Sequence, residues 1–269
     1  MTTSSNTRRK LPPAESKQSE FAQRRSRYRK LRDCDPHAAY GFTLVETMTV
    51  VAVLSVLAAI TLPVFLSARE VGRRAVCIAN LHQISIAFAM YVDDWDGAFP
   101  NTGDPYLWMG RRWRWPLEPY LGERLQRNAD HLEDPLHSKR TPSFLLCPSD
   151  PYAREQWDAT SYGYSAAFYH TPAQIAQMTT EDLWKWDRFA CKTQREACVL
   201  HPDKKVMIAE WLTNHEVDKR SWWEWGGARS YLFADGHAAH IDTDLMHPAG
   251  NHLPDPNLTI GGLTGKDFD

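Results

Sequence analysis

The sequence predicts an α+β fold, a single long N-terminal helix packed against a small antiparallel sheet. Three observations predict it. An apolar run from Phe42 to Leu66 holds 25 residues with one ionisable group, Glu46. Apolar residues then recur at helical spacing to about Asp94. Beyond residue 97, short strand-like segments such as KVMIAEW (205–211) precede an Asp-Gly turn at Asp235-Gly236.

The elements follow in chain order. Residues 1–41 carry ten Lys/Arg against four Asp/Glu, so the first 41 residues bear +6 and the remainder −8. A basic arm ahead of an apolar run is cytoplasmic by the positive-inside rule, which sets an N-in, C-out orientation with the acidic remainder exported. The cluster RRSRYRKLR (24–32) could neutralise phosphates. It lies beside the apolar run and no nucleic-acid motif follows, so no nucleic-acid partner is assigned. Residues 42–66 exceed the roughly 20 needed to span a bilayer as a helix. A cleavable secretory signal has an apolar core of only about 7 to 15 residues. Neither that reading nor a plain uncleaved anchor explains Glu46, since an acid at mid-bilayer costs roughly 2.5 to 3.5 kcal/mol.

The stretch Gly41-Phe42-Thr43-Leu44-Val45-Glu46 resembles the processing site of type IV prepilins. The resemblance implies cleavage after Gly41 by prepilin peptidase, N-methylation of Phe42, and a glutamate fifth after the cut, which Glu46 matches. A proline is often 22nd in that family, and Pro63 fits. On this reading residues 1–41 are a basic cytoplasmic leader that is removed. Glu46 then pairs with the terminal ammonium of a neighbouring subunit inside an apolar filament core, where an unpaired charge would be very unfavourable. The alternative is an interfacial glutamate that snorkels to the headgroups. Pro63 removes a helix hydrogen bond and should kink the helix at the outer end of the span.

Residues 67–96 continue the helix in amphipathic form, with Val71, Ala75, Ile78, Leu81, Ser85, Phe88 and Val92 on the packed face. The run DDWDGAFPN should end it, with Gly97 as cap and Pro100 beyond. Asp93, Asp94 and Asp96 do not match the spacing of an EF-hand. Residues 97–245 form the exported α+β domain. Residues 246–269, rich in Pro, Gly and Asn, should be a flexible tail.

The segment CIANLHQISIAFAMYVDDWDGAFP (77–100) resembles bacterial pilin-like proteins with a prepilin-processing-associated C-terminal domain, similar to the major pseudopilin of type II secretion. FLLCPSD (144–150), SYGYS (161–165), KVMIAEW and RSYLFADGHAAHI (229–241) extend the match, and Cys77, Cys147, Asp235 and Gly236 are its motif positions. The family's His, nine residues, Asp-Gly motif is altered, because Trp225 stands where the histidine would be. Asp235-Gly236 suits a two-residue type I′ hairpin, which pairs Ala234 with His237 and Tyr231 with His240.

Cys34 would leave with the leader. The other four cysteines allow three pairings in an oxidising compartment. Cys191 with Cys198, closing a short loop, is the expected disulfide, and Cys77 with Cys147 is next. A nucleophilic Cys147 is disfavoured, since Pro148-Ser149-Asp150 reads as a turn after a strand. No cofactor and no metal are assigned. The resemblance to pseudopilins raises calcium as the alternative, with Glu210 and Asp235 as the carboxylates at a sheet edge. His237 and His240, three apart on a strand, point to opposite faces and do not suit zinc.

Six of the eleven tryptophans crowd in 107–121 and 221–227. They suit packing in loops and subunit contacts, or a platform for a glycan or surface polymer. No nucleotide loop, catalytic triad order or paired-carboxylate motif stands out. The reading is therefore a structural subunit of the inner membrane, partnered by prepilin peptidase and by other pilin-like subunits, and not an enzyme.

Overall fold

The computed structural model describes residues 42–101, 113–122, 142–153, 160–182, 188–221 and 226–269. The chain divides into two compact units between Ile60 and Thr61. One helix, α1, spans Leu44–Asp94. Among the described residues it is long and apolar enough to cross a membrane. At 1.5 Å per residue its 51 residues extend about 77 Å. Its helical assignment continues through Pro63.

α1 stops where its capping residues change hand. Asp96 and Gly97 adopt φ of +52° and +75°, and the Gly97 N–H reaches back to the Val92 carbonyl at 2.8 Å. That is the return bond of a Schellman-type cap with Asp96 as its left-handed residue, and Gly97, which has no Cβ, takes the second positive φ at little cost. The chain then pairs with 194–196 through Phe99 N–H to Gln194 O and Glu196 N–H to Gly97 O.

Four strands form one antiparallel sheet in sequential order: β1 Tyr162–Tyr164, β2 Val206–Glu210, β3 Ala228–Phe233 and β4 Ala238–Asp242. A bulge interrupts the β2–β3 register between Val206 and Ile208. The helix covers one face of the sheet. Leu81, Ile84, Ala87, Phe88, Tyr91 and Val92 recur at three and four residues and pack with Tyr162, Tyr164, Ile208 and Leu232. The packed stripe begins at Cys77, whereas Val71, expected on that face, is exposed. Burying each large apolar side chain here contributes about 1.5 to 3 kcal/mol.

The other face of the sheet corrects the expectation for residues 246–269. That stretch is not a flexible tail. Met246 and Phe268 pack with Val206, Tyr231 and Phe233, and Leu258 and Leu263 enter the main core. Its order comes from polar groups as much as apolar ones, which is why composition misled. Asn257 Oδ1 accepts the Ala166 N–H at 3.0 Å, and the Pro256 carbonyl accepts Ser165 Oγ at 2.7 Å. Asp267 Oδ2 accepts the Val206 N–H at 2.8 Å and pairs with buried Lys205 at 2.9 Å.

The β3–β4 hairpin also departs from its expected form. Leu232 pairs with Ala238, Tyr231 with Ala239 and Ser230 with His240, so the loop is Ala234-Asp235-Gly236. The Gly236 N–H closes a turn on the Phe233 carbonyl, and Gly236 alone takes a positive φ, +89°. A type I turn followed by a left-handed residue gives a three-residue loop. Asp235 contributes its carboxylate to the His237 N–H at 3.0 Å instead of adopting the left-handed region. The one-residue change of partner brings His240 to the face of Ser230 and Leu232.

Candidate functional site

The N-terminal motif begins with a local device. Thr43 is the N-cap of α1: its Oγ1 accepts the Glu46 N–H at 3.2 Å, while Glu46 Oε2 accepts the Thr43 N–H and hydroxyl at 2.8 Å each. This Thr-x-x-Glu capping box satisfies donors that a helix start leaves open. The sequence reading missed it, although Thr43 and Glu46 at that spacing are its signal. Phe42 is 83% exposed beside the cap. Gly41 lies outside the described residues.

A second assembly sits where α1 first meets the domain. Cys77 on α1 is joined to Cys147 by a disulfide. The expected Cys191–Cys198 pair is corrected: both are thiols. Cys191 packs against the main core, whereas Cys198 ends a 3-10 turn at the surface. Nor does a strand precede Cys147. Residues Ser143–Leu145 form a 3-10 turn, and the Asp150 N–H folds back onto the Cys147 carbonyl at 3.0 Å.

Beside the disulfide lies a chain of ionisable groups, part-exposed at Glu70 and with buried side chains at His215 and Glu210. Glu70 of α1 places Oε1 2.7 Å from His215 Nδ1, and it also accepts Ser149 Oγ at 2.6 Å and Arg73 Nη1 at 3.1 Å. The far ring nitrogen, His215 Nε2, lies 3.5 Å from both Cys147 Sγ and Glu210 Oε1. Glu210 is fully buried. It accepts the Ser230 N–H at 2.8 Å and Asn214 Nδ2 at 3.1 Å. Burial opposes ionisation of Glu70, but Ser149, His215 and Arg73 together bring its pKa down to about 2. Burial likewise disfavours a charged His215, and contact with Glu210 and Glu70 outweighs it, raising the ring above its ordinary value. Glu210 follows the same logic in reverse: desolvation is exceeded by the bonds to His215, Asn214 and Ser230, so it is lowered. The result is a ring whose protonated form is favoured by the two carboxylates that flank it. Glu70 and His215 were not singled out from sequence, because nothing in their spacing, 145 residues apart, signals contact.

Glu210 and Asp235 do not converge. Phe233 pairs with Val206, so Asp235 lies past the Val206 end of β2 and Glu210 at the opposite end, a separation of roughly 13 Å along a strand. Asp235 instead holds His237 Nδ1 at 2.6 Å, with the His237 ring stacked on Phe233. His240 lies on the other face, against Ser230 and His215.

Of the tryptophans, Trp113 is fully buried, stacked on Phe88 and donating to the Tyr162 carbonyl at 3.3 Å. Trp211 is buried and Trp115 packs against the core. Arg114 is buried among them. Arg111, Arg112, Trp223 and Trp225 lie outside the described residues.

Comparison with known proteins adds two matches. Residues 37–62 match the family described as "Prokaryotic N-terminal methylation motif". Residues 66–198 match the family described as "Protein of unknown function (DUF1559)". No curated protein and no solved structure matches the chain.

Proposed function

We propose, from the premise that this is a type IV pilin-like protein with a prepilin N-terminal motif, that it is a structural subunit of a pilus-like filament or a type II secretion pseudopilus. Prepilin peptidase cuts after Gly41 and Phe42 is N-methylated. The chain is anchored by a single pass of α1 in the inner membrane, N-in and C-out, and its domain stands in the periplasm or outside the cell. Subunits associate through the apolar half of α1, and Glu46 pairs with the ammonium of a neighbour's Phe42.

One observation carries this reading: Phe42 to Glu46 lie at the N-terminal start of a 51-residue helix in which Glu46 is the one ionisable residue up to Leu66. The capping box refines the role of Glu46. In the single subunit its carboxylate is engaged by Thr43. On assembly a full positive charge is a stronger partner than a neutral N–H. The tethered glycan-binding reading gains no support from Trp113 and Trp211, whose rings are consumed in the core.

Terminal sequencing of the membrane-extracted protein should find methylated Phe42 as the first residue. A mature chain still carrying residues 1–41 refutes the processing step. Glu46→Ala should be cleaved normally and fail to assemble. Glu46→Gln separates the two roles of the side chain, because it keeps an acceptor for Thr43 and loses the charge. It too should fail, and normal filament or secretion output from Glu46→Gln would show that charge pairing is not the assembly determinant.

A further inference from the structure

The cystine of Cys77 and Cys147 does not sit in an apolar pocket. One ligand-type atom from each of Cys77, Cys147, Glu210 and His215 lies within 4.8 Å of the others. The His215 and Glu210 side chains are 1% and 0% exposed. A tetrahedral zinc ion, bound at about 2.3 Å to sulfur and about 2.0 to 2.1 Å to nitrogen or oxygen, spaces its ligand atoms about 3.3 to 3.8 Å apart. His215 Nε2 already stands at 3.5 Å from Cys147 Sγ and 3.5 Å from Glu210 Oε1. The edge between the two sulfurs is closed by a covalent bond, and reduction opens it.

The outer contacts have the same character. Metal-binding histidines usually give their second ring nitrogen to a carboxylate, which fixes the ring and aims the other nitrogen at the metal. Here Glu70 faces Nδ1 at 2.7 Å and is itself fixed by Ser149 and Arg73. Glu210 is steadied from behind by the Ser230 N–H and Asn214 Nδ2. A neutral disulfide alone gives no reason for a buried carboxylate and a buried imidazole to converge on it. A cation between Glu70 and Glu210 does.

We infer that the reduced chain binds one zinc ion through Cys77 Sγ, Cys147 Sγ, His215 Nε2 and Glu210, and that cystine and metal are two alternative states of this one centre. The reductant is a dithiol or a phosphine. Two electrons and two protons convert the S–S bond into two thiols, and zinc then displaces both thiol protons and any proton on Nε2. With four protein ligands the site is closed, so its role is to tie α1 to the segment after β2 before the cystine forms.

The test uses the full-length chain in detergent, purified under a phosphine reductant and titrated with Co²⁺ alone, then with Zn²⁺. One equivalent of Co²⁺ should give sulfur-to-metal charge-transfer absorption and tetrahedral visible bands, and one equivalent of Zn²⁺ should abolish both. A Cys191→Ser/Cys198→Ser variant should behave as wild type, and His215→Gln should lose the bands. Glu70→Gln, which keeps all four ligands, should keep the bands and weaken affinity roughly 10- to 100-fold. No thiolate band in the reduced wild type overturns the inference. So do bands that persist in His215→Gln, bands lost in Cys191→Ser/Cys198→Ser, or unchanged affinity in Glu70→Gln, which also covers the case of a misfolded His215 variant.

Discussion

Single side chains in this protein carry opposite electrostatic tasks, and Asp255 shows one that titrates. It is fully buried, and desolvation pushes its carboxyl up to about 6 from 3.8, against hydrogen bonds from Asn257 and Asn251 and with the nearby Asp267 charge adding repulsion. A pKa raised on folding favours the fold while the group is protonated. The contribution is therefore full below about pH 4 and lost as pH rises through about 6. The shift of roughly two units corresponds to about 3 kcal/mol at most. Amide exchange of residues 246–269, corrected for intrinsic rates, should show stronger protection near pH 4.5 than near pH 7. Asp255→Asn should flatten that slope, because its amide keeps an acceptor for Asn257 and does not ionise. At this scale the sequence is legible where a motif sets the spacing, as with Phe42 and Glu46 inside the stretch that matches the N-terminal methylation motif. Glu70, His215 and Asp255 matter only through tertiary neighbours, and one sequence without geometry holds no sign of them.

Elements were legible in kind more than in detail. The period of apolar residues finds α1 to within two residues at its start and at Asp94 at its end, and the Asp-Gly pair finds the hairpin. Register was not recoverable, because Asp235-Gly236 fits both a two- and a three-residue loop. Asp235 decides between them through its bond to the His237 N–H. The choice predicts a cost. A Cβ on Gly236 would meet only Ser85 atoms, at 3.7 and 3.8 Å, so space is not limiting. Its φ of +89° is the limit. Gly236→Ala should cost about 1 to 2 kcal/mol in a urea titration, through strain alone. The cystine pairing failed for a similar reason. Short sequence separation favoured Cys191 with Cys198, but the fold instead links Cys77 and Cys147 across 70 residues. Loops that long gain the most from closure, and loss of this bond in Cys77→Ser/Cys147→Ser should cost roughly 2 to 5 kcal/mol.

At the scale of the whole molecule, the sheet is held between α1 on one face and residues 246–269 on the other. The second layer is fastened by Lys205, whose ammonium is wholly buried and meets Asp267, Thr259 and the Pro256 carbonyl. Removing one partner of a buried pair typically costs about 3 to 5 kcal/mol, because the other is left uncompensated. Asp267→Ala should show that loss in urea denaturation, and Lys205→Met with Asp267→Leu should regain much of it. A chain ending at residue 245 should lose cooperative unfolding altogether, since it exposes Val206, Tyr231 and Phe233 as well. Composition concealed this layer: its Pro, Gly and Asn residues form turns that carry buried acceptors, a pattern indistinguishable in one dimension from a loose end.

Asp267 follows Lys205 by 62 residues. A chain synthesised from its N-terminus must therefore present the lysine long before its counter-ion is added. Strand β2 waits in the meantime with a cation that has nowhere dry to go. Completion of the domain is a late event in biogenesis, and a nascent chain stalled before position 267 should be cut readily by a protease that leaves the released product intact.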